Sequence, residues 1–299
     1  MQLPMQTHFV SLADEILKLP PCIICLTGGG GKSSLMYSLG AAISRLGNSG
    51  RGARVLLTTT TRIMRPNPLQ SAFFVESDTP ASLSLPEMPC VLTAAAPAGL
   101  GQNPDYLCGY NPQELDNLWK RSAADWLIVE ADGSARRPIK APVDKEPVIP
   151  SLCGLVIAVA GLSAVGEVYD DKRVFRAGAF SELTGLRPGD RLAPETLAAL
   201  FTHPAGLFKG SPEKARRMAF LNQADATGKL EQAVALAQAV LSKHDGMLYG
   251  VYAGSARQRD VPCLRFVPIT PIHHFFNSEV LPELQEYSIK DHFFAEGLS

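Results

Sequence analysis

The sequence is poor in charge and in aromatic residues: charged side chains make up 19%, aromatic ones 7%, and the formal net charge is -1. Binding to nucleic acid or to an anionic membrane surface favours a basic excess, so we expect neither partner. The longest apolar run, 152–166, is interrupted by glycines and is too short for an ordinary transmembrane helix. The first residues lack a positive segment followed by an apolar one, so no signal peptide is expected.

The six cysteines show no framework spacing, which favours a reducing, cytoplasmic location. Cys22 and Cys25 do form a C-x-x-C pair, a spacing found in redox and metal sites. They lie in a predicted strand, however, where positions i and i+3 face opposite sides, so we interpret both as buried core residues. No histidine spacing indicates zinc, and we interpret His203, His273 and His274 as surface or core residues.

Apolar patterning predicts strands that alternate with helices, and hence a mostly parallel sheet covered by helices on both faces, as in P-loop NTPases. We expect one domain over 1–299 with insertions, and a peripheral C-terminal segment over about 268–299. The predicted strands are 22–27, 53–61, 71–77, 90–95, 125–132, 155–161 and 246–254, and 216–225 is predicted as a strand that runs into a loop. The predicted helices are 32–47, 112–123, 173–185, 193–201 and 228–244.

The stretch "CLTGGGGKSSLM" places four glycines, a lysine and two serines between the first predicted strand and a helix. Backbone N–H groups and the positive end of a helix dipole bind phosphate in such a loop. The lysine would reach the β- and γ-phosphates, and the first serine hydroxyl would bind Mg²⁺. The predicted nucleotide-binding residues are Thr27, Gly28, Gly29, Gly30, Gly31, Lys32, Ser33 and Ser34.

This loop departs from the common pattern G-x-x-x-x-G-K-[ST], because Leu26 stands where the first glycine is expected. The shorter form resembles the loops of Mur-type amide ligases and of some metallochaperone GTPases. The alternative is a glycine-rich hairpin turn, which would not require the lysine, the serines and the helix that follows at once.

Two later strand ends carry candidate chemistry. Thr58 to Thr61 end the second strand and precede Arg62, so Thr59 is a candidate Mg²⁺ ligand and Arg62 a candidate γ-phosphate sensor; plain β-propensity is the alternative. The stretch "DWLIVEADGSARRPIKAP" delivers Glu130 and Asp132 to a strand end, where one carboxylate could hold Mg²⁺ and the other orient a nucleophilic water. The predicted catalytic residues are Lys32, Glu130, Asp132 and Arg62, and the predicted metal ligands are Ser33, Thr59, Glu130 and Asp132.

The basic residues Arg136, Arg137 and Lys140 follow directly, and we expect them to bind an anionic substrate or to stabilise the charge that is transferred in the reaction. A solvated basic loop is the alternative. Further on, Asn222 and Asp225 in "NQAD" partly match the N-K-x-D of guanine-specific proteins, with glutamine in place of lysine. The segment 252–258 resembles the Ser-Ala loop that backs the guanine. A polar turn at a strand end would explain both equally well.

Together, "LTGGGGKSSLM", "VLLTTTTRI", "VEADGSARRPIKAPVDKEPVIP" and "FLNQAD" resemble the YqeC family over roughly 22–254. The resemblance implies a P-loop fold and a role as an accessory protein in maturing a selenium-dependent molybdenum hydroxylase, with that enzyme or its cofactor-insertion proteins as partners. The pair Glu130 and Gly133 also resembles an element of nickel-enzyme maturation GTPases.

The sequence therefore predicts a P-loop protein that binds and hydrolyses ATP or GTP with Mg²⁺ as cofactor. Hydrolysis would drive a switch that hands over selenium or the molybdenum cofactor. Two alternatives stay open. One is an ATP-dependent ligase or kinase that acts on a small acidic substrate, and the other is a non-catalytic scaffold that retains a nucleotide.

Overall fold

The structure is a computed structural model that describes residues 5–47, 50–71, 73–99, 101–243, 246 and 248–268. The predicted C-terminal segment therefore lies outside the described residues except for its first residue, as do His273 and His274. Whether the chain forms one domain over its whole length stays a prediction.

Fourteen strands are described. They are β1 (Met5–Ser11), β2 (Ile23–Gly28), β3 (Arg54–Thr59), β4 (Arg62–Met64), β5 (Phe73–Glu76), β6 (Cys90–Ala95), β7 (Tyr106–Cys108), β8 (Trp126–Glu130), β9 (Ile139–Lys140), β10 (Cys153–Gly161), β11 (Val174–Phe175), β12 (Arg216–Asn222), β13 (Leu248–Gly254) and β14 (Pro262–Pro268). The described α-helices are α1 (Leu12–Leu17), α2 (Lys32–Leu46), α3 (Pro112–Arg121), α4 (Ala177–Thr184), α5 (Pro194–Leu197), α6 (Ala199–Thr202) and α7 (Lys229–Lys243).

Ten strands form one sheet in the order β1-β14-β13-β12-β10-β2-β8-β3-β6-β5. All neighbours from β13 to β5 run parallel, and only β14 pairs antiparallel, with β1 and with β13. The predicted fold class, a mostly parallel sheet flanked by helices, is confirmed. In the sheet β2 lies between β10 and β8, but the chain continues from β2 through α2 to β3, on the far side of β8. The loop after β2 therefore opens at the kind of crevice where α/β proteins bind ligands.

Helices cover both faces of the sheet because the central strands are apolar on both sides. Along β2, Ile23 and Cys25 pack into the core beneath α3 to α7, whereas Ile24 and Leu26 pack beneath α1 and α2. The predicted helix after the glycines is confirmed as α2, which buries Leu35, Met36, Leu39 and Ile43 at helical spacing. Gly40 lets this helix approach β3, since a Cβ there would lie 2.9 Å from the Leu57 side chain.

Several elements differ from the predictions. The edge strand β1 and its neighbour β14 were not predicted, and neither was the antiparallel ribbon of β4 and β7. The helix predicted over 173–185 begins only at Ala177, because Val174 and Phe175 pair instead with β9. The helix predicted over 193–201 is two short helices, α5 and α6.

All six cysteines are free thiols. Cys25 is buried in the core as predicted, whereas Cys22, which directly precedes β2, is only partly buried. Among the described residues, no helix is long and apolar enough to span a bilayer.

Candidate functional site

The carboxyl ends of β2, β8, β3, β10 and β12 meet at one edge of the sheet, and a cavity of about 520 Å³ opens there. Its wall includes residues 30–34, Glu130, Ser163, Gln223 and the loop 133–136. The volume lies in the range of small-molecule sites. The cavity therefore contains several of the residues that the sequence pattern singled out.

The glycine loop packs against the protein through its backbone. Gly28, Gly30 and Gly31 have φ values of +93°, +77° and +110°. A Cβ at Gly28 would lie 2.3 Å from the Val159 carbonyl oxygen, and one at Gly30 would lie 2.3 Å from the Gly161 nitrogen. Both neighbours are backbone atoms of β10 and cannot swing away. Glycine is thus required here both for the left-handed conformation and for the close approach.

Only part of the loop presents amides to the cavity. Gly29 N–H donates to Val159 at 2.9 Å and Gly30 N–H to Arg137 at 3.0 Å, so these two amides are used inside the protein. The first amides of α2 have no partner within the helix, and Gly31, its N-cap, has no side chain to accept from them. The start of α2 forms the cavity wall, which therefore carries the positive end of a fifteen-residue helix dipole.

Lys32 is buried and lies at the base of the cavity. Its Nζ donates to the Gly28 carbonyl and lies 3.1 Å from Asp132 Oδ1 and 3.9 Å from Glu130 Oε1. A buried ammonium needs such partners, because burial of an unpaired charge is strongly unfavourable. The predicted lysine and both predicted carboxylates are thus in direct electrostatic contact.

The two carboxylates have different environments. Asp132 is fully buried; it accepts from Gly28 N–H at 3.0 and 3.1 Å and lies 3.1 Å from Nζ of both Lys32 and Lys140. Its oxygens are therefore occupied by internal donors. Glu130 forms part of the cavity wall, and its Oε2 accepts from Ser33 Oγ at 2.7 Å. Of the two, Glu130 is the one placed to act on a bound molecule.

Burial raises the pKa of Glu130, and the Lys32 charge and the Ser33 hydrogen bond only partly offset that effect. The pair of Ser33 hydroxyl and Glu130 carboxylate fits Mg²⁺, which takes hard oxygen ligands and binds through one or two protein groups together with waters and substrate phosphates. Among the described residues, no group of three His, Cys, Asp or Glu side chains could hold a metal unaided. A Mg²⁺ ion here would complete its shell with waters and phosphate oxygens.

The hydroxyl groups of the threonine run donate hydrogen bonds to nearby backbone carbonyls. The hydroxyls of Thr58, Thr59 and Thr60 donate to the carbonyls of Ala94, Glu130 and Val148 at 2.7 to 2.8 Å. Thr59 is fully buried and does not reach the cavity, so it is not brought to the Ser33–Glu130 pair. Arg62 does reach the cavity wall, where its guanidinium binds Gln102.

Arg136, Arg137 and Lys140, the three basic residues after β8, lie in three different environments. Arg136 is exposed and forms part of the cavity wall. Arg137 turns away, and its Nε donates to the Asp171 carbonyl at 2.8 Å. Lys140 is buried and binds Asp132 at 3.1 Å, Glu146 at 2.8 Å and the Gly133 carbonyl at 2.7 Å. Only Arg136 is thus placed to meet a ligand in this cavity.

Asn222 joins two loops beneath the cavity. Its Nδ2 donates to the Gly30 carbonyl at 2.7 Å, and its Oδ1 accepts from Ala256 N–H at 2.8 Å. Asp225 is exposed in the next turn and is not among the residues of the cavity wall; Thr27 also lies away from it, donating to the Leu207 carbonyl at 2.8 Å. The structure brings Asn222 to the glycine loop but not Asp225 to the cavity.

The cavity wall also includes residues that the sequence analysis did not single out, among them Tyr37, Met64 and Tyr106. Tyr37 lies one helical turn after Ser33, so the periodicity of α2 placed both on one side of the helix. Met64 and Tyr106 lie on β4 and β7, whose pairing brings together residues far apart in the chain, and no local pattern indicated it.

Comparison with known proteins identifies the family of this chain. The family model described as "YqeC protein" matches residues 24–178, which span the glycine loop, the β8 carboxylates and the basic loop. The chain is also 33% identical over 252 residues to the "Uncharacterized protein YqeC" of Escherichia coli (strain K12), covering 83% of this chain and 92% of that protein. The chain belongs to the YqeC family.

Proposed function

We propose that this protein binds a nucleoside triphosphate with Mg²⁺ in the cavity at the start of α2 and hydrolyses it. The observation that carries the proposal is the bond between Ser33 Oγ and Glu130 beside the buried Lys32. A hydroxyl at a helix N-terminus, a carboxylate at the next strand end and a lysine are the groups that hold Mg²⁺ and phosphates in P-loop proteins.

Each residue has a defined part in this proposal. The amides at the start of α2 bind the phosphate oxygens, and Lys32 exchanges its internal carboxylate partners for the β- and γ-phosphates. Ser33 and Glu130 would hold Mg²⁺, Ser33 through its hydroxyl and Glu130 through its carboxylate, and the ion would supply positive charge beside the phosphates. Asp132 holds the Gly28 amide in place and pairs with Lys32 until the phosphates bind, which makes it a positioning residue.

The proposal does not choose between adenine and guanine as the base of the nucleotide. Asn222 ties the glycine loop to the loop after β13, an arrangement that would place a base near Gln223 and Arg257. Asp225, which would accept from guanine, is exposed outside the cavity wall. Binding of ATP and of GTP therefore has to be compared directly.

A kinetic experiment tests hydrolysis. Phosphate release from ATP and from GTP is measured against Mg²⁺ concentration for the wild type, Glu130→Gln and Ser38→Ala. Ser38 lies farther along α2 and binds the Ala256 carbonyl outside the cavity. We expect Glu130→Gln to raise the Mg²⁺ concentration needed for half-maximal rate, or to lower the rate, by about 10- to 100-fold, with Ser38→Ala close to the wild type.

Two results would contradict this proposal. Tight nucleotide binding without phosphate release would favour the non-catalytic scaffold. Equal Mg²⁺ dependence in the wild type and Glu130→Gln would remove Glu130 from the metal site.

The cellular part of the proposal is that this hydrolysis assists maturation of a selenium-dependent molybdenum hydroxylase, as the resemblance to the YqeC family implies. In cells that make such an enzyme, replacing the wild-type chain by Ser33→Ala should lower the selenium content and activity of the hydroxylase. An unchanged hydroxylase would reject this role and leave the nucleotide proposal standing.

A further inference from the structure

The cavity extends to both sides of the glycine loop. In the sheet order β12-β10-β2-β8-β3, Ser163 and Gln223 come from the β10 and β12 side, whereas Arg62 and Arg136 come from the β3 and β8 side. A nucleotide whose phosphates sit at the start of α2 and whose base lies toward Gln223 occupies the first side. The second side is then available to another molecule.

The second side has an apolar surface built by the β4–β7 ribbon. Met64 and Tyr106 are directly opposite each other in the antiparallel register, so both project from the same face. Ile63 and Leu107 project from the other face into the core. Met64 is 46% exposed and Tyr106 is 36% exposed, although both are large apolar side chains. The ribbon thus presents Met64 and Tyr106 to the cavity, and the buried pair Ile63 and Leu107 anchors the ribbon to the core.

Two arginines border this apolar pair. Arg62 alternates with Ile63 along β4 and therefore lies on the same face as Met64. Arg136 enters from the loop after β8, and its Nη2 lies 2.8 Å from Met64 Sδ. Ala135 and Arg136 both have positive φ, +46° and +61°, a conformation that non-glycine residues rarely adopt and that is concentrated at functional sites.

The wall of the same cavity also contains a buried polar group without a partner among the described residues. The hydroxyl of Tyr37 is buried and has no hydrogen-bond partner among the residues that the structure describes, although Tyr37 forms part of the cavity wall. The side chain is 7% exposed. Burial raises the pKa of this phenol and the Glu130 charge raises it further, so it stays a neutral donor. Buried hydroxyls are rarely left unpaired, and a ligand oxygen would satisfy this one.

We propose that the β4–β7 side of the cavity binds a second ligand beside the nucleotide: a small organic anion with a flat apolar body. The flat body packs on Met64 and Tyr106, and the anionic group, a phosphate monoester or a carboxylate, lies between Arg62 and Arg136. Guanidinium groups match both anions through paired hydrogen bonds. This inference rests on the proposed function only for the position of the nucleotide.

Calorimetric titration with simple probes tests the subsite. The probes are naphthyl phosphate, naphthoate and uncharged methoxynaphthalene, titrated into the full chain with and without a saturating, non-hydrolysable Mg²⁺ nucleotide. We expect naphthyl phosphate or naphthoate to bind in both conditions, at least about tenfold more tightly than methoxynaphthalene. The tighter of the two anions identifies the chemical class of the natural ligand.

Variants locate the binding. Tyr106→Ala should weaken binding of the anionic probe at least about fivefold while nucleotide binding stays the same, and Arg136→Gln should weaken binding of the probe by a similar factor. Arg65→Gln is the matched control, because Arg65 directly follows β4, binds Glu76 and does not belong to the cavity wall. Both Arg136 and Tyr106 are solvent-exposed, so these variants should fold, and circular dichroism verifies that they do.

The outcomes separate this inference from the proposed function. Nucleotide binding without binding of any anionic probe would overturn the second subsite alone. Displacement of the probe by the whole nucleotide but not by tripolyphosphate would show that the base occupies this side, which also overturns it. Binding of the probe without nucleotide binding would support the subsite and reject the proposed function.

Discussion

Ser33 Oγ donates a 2.7 Å hydrogen bond to Glu130 Oε2 and thereby joins the first turn of α2 to the end of β8. The bond connects the two sequence motifs that carry the candidate chemistry. Glu130 is held there although burial raises its pKa, so the folded protein tolerates a carboxylate in an unfavourable environment. Such a cost is typical of functional sites.

That cost predicts a pH-dependent gain of stability in Glu130→Gln. Because the pKa of Glu130 is higher in the folded than in the unfolded state, its ionisation destabilises the fold as pH rises from about 4.3 through the raised pKa. The glutamine variant avoids this loss. We expect it to exceed the wild type in free energy of unfolding at neutral pH and to converge with it in acid. A variant that is less stable at every pH would contradict the prediction.

Lys32 and Asp132 should be strongly coupled in stability. Removing one member of a buried ion pair costs about 3 to 5 kcal/mol because the other charge is left unpaired. Because Lys140 still pairs with Asp132, we expect Lys32→Met to lose only part of this amount and Lys32→Met/Asp132→Asn to recover part of that loss. Urea unfolding of both single variants and the double variant gives the coupling, which should exceed about 1 kcal/mol. Additive losses would mean that the 3.1 Å contact is energetically unimportant.

Glu146 should show the opposite pH dependence from Glu130. Burial alone would raise its pKa, but the hydrogen bond and charge of Lys140, with those of Arg176, outweigh burial and lower it. The stability it contributes is therefore complete above the ordinary glutamate pKa and is lost as pH falls through the lowered pKa. We expect Glu146→Gln to cost about 1 to 3 kcal/mol at neutral pH and progressively less in acid.

Asp144→Asn is the control for this measurement, because Asp144 is exposed two residues earlier in the same loop. It should stay within about 0.5 kcal/mol of the wild type. Equal losses in the two variants, or a loss in Glu146→Gln that does not change with pH, would show that Lys140 does not depend on Glu146.

A glycine pair tests the packing of the loop. Gly30→Ala places a Cβ 2.3 Å from a backbone nitrogen at a φ of +77°, so we expect it to lower the free energy of unfolding by more than about 1 kcal/mol and to weaken nucleotide binding. Gly178→Ala, in α4 with open space around the added Cβ, should be neutral or stabilising by up to about 1 kcal/mol. Thermal and urea unfolding compare the two. Similar stability of both variants would mean that the loop tolerates a side chain.

Local patterns were enough to predict the elements that frame the site. Strand β2, helix α2 and strand β8 follow from an apolar run, helical spacing and a second apolar run, each of which is continuous in the sequence. The grouping of Ser33, Lys32 and Glu130 then follows from the rule that parallel strands end at one edge.

Tertiary environment could not be predicted in the same way. Lys140 follows two arginines in a loop and has the sequence context of a solvated cation, but Asp132 and Glu146 enclose it. The hydroxyl of Thr59 was available to a metal on sequence grounds, yet the Glu130 carbonyl accepts from it. The pairing of Met64 with Tyr106 depends on a contact between two three-residue strands, for which the sequence carries no periodic signal.

The most direct test of the central claim is calorimetric binding of Mg²⁺·ATP and Mg²⁺·GTP to the wild type, Asp132→Asn and Lys32→Met/Asp132→Asn. Asp132→Asn keeps Lys32, whereas the double variant lacks it without leaving Asp132 as an unpaired charge. We expect at least one nucleotide to bind the first two proteins with one-to-one stoichiometry and to bind the double variant at least about tenfold more weakly, equivalent to about 1.4 kcal/mol. No binding of either nucleotide to the wild type, or equal binding to both variants, would contradict the assignment of this loop as a phosphate site.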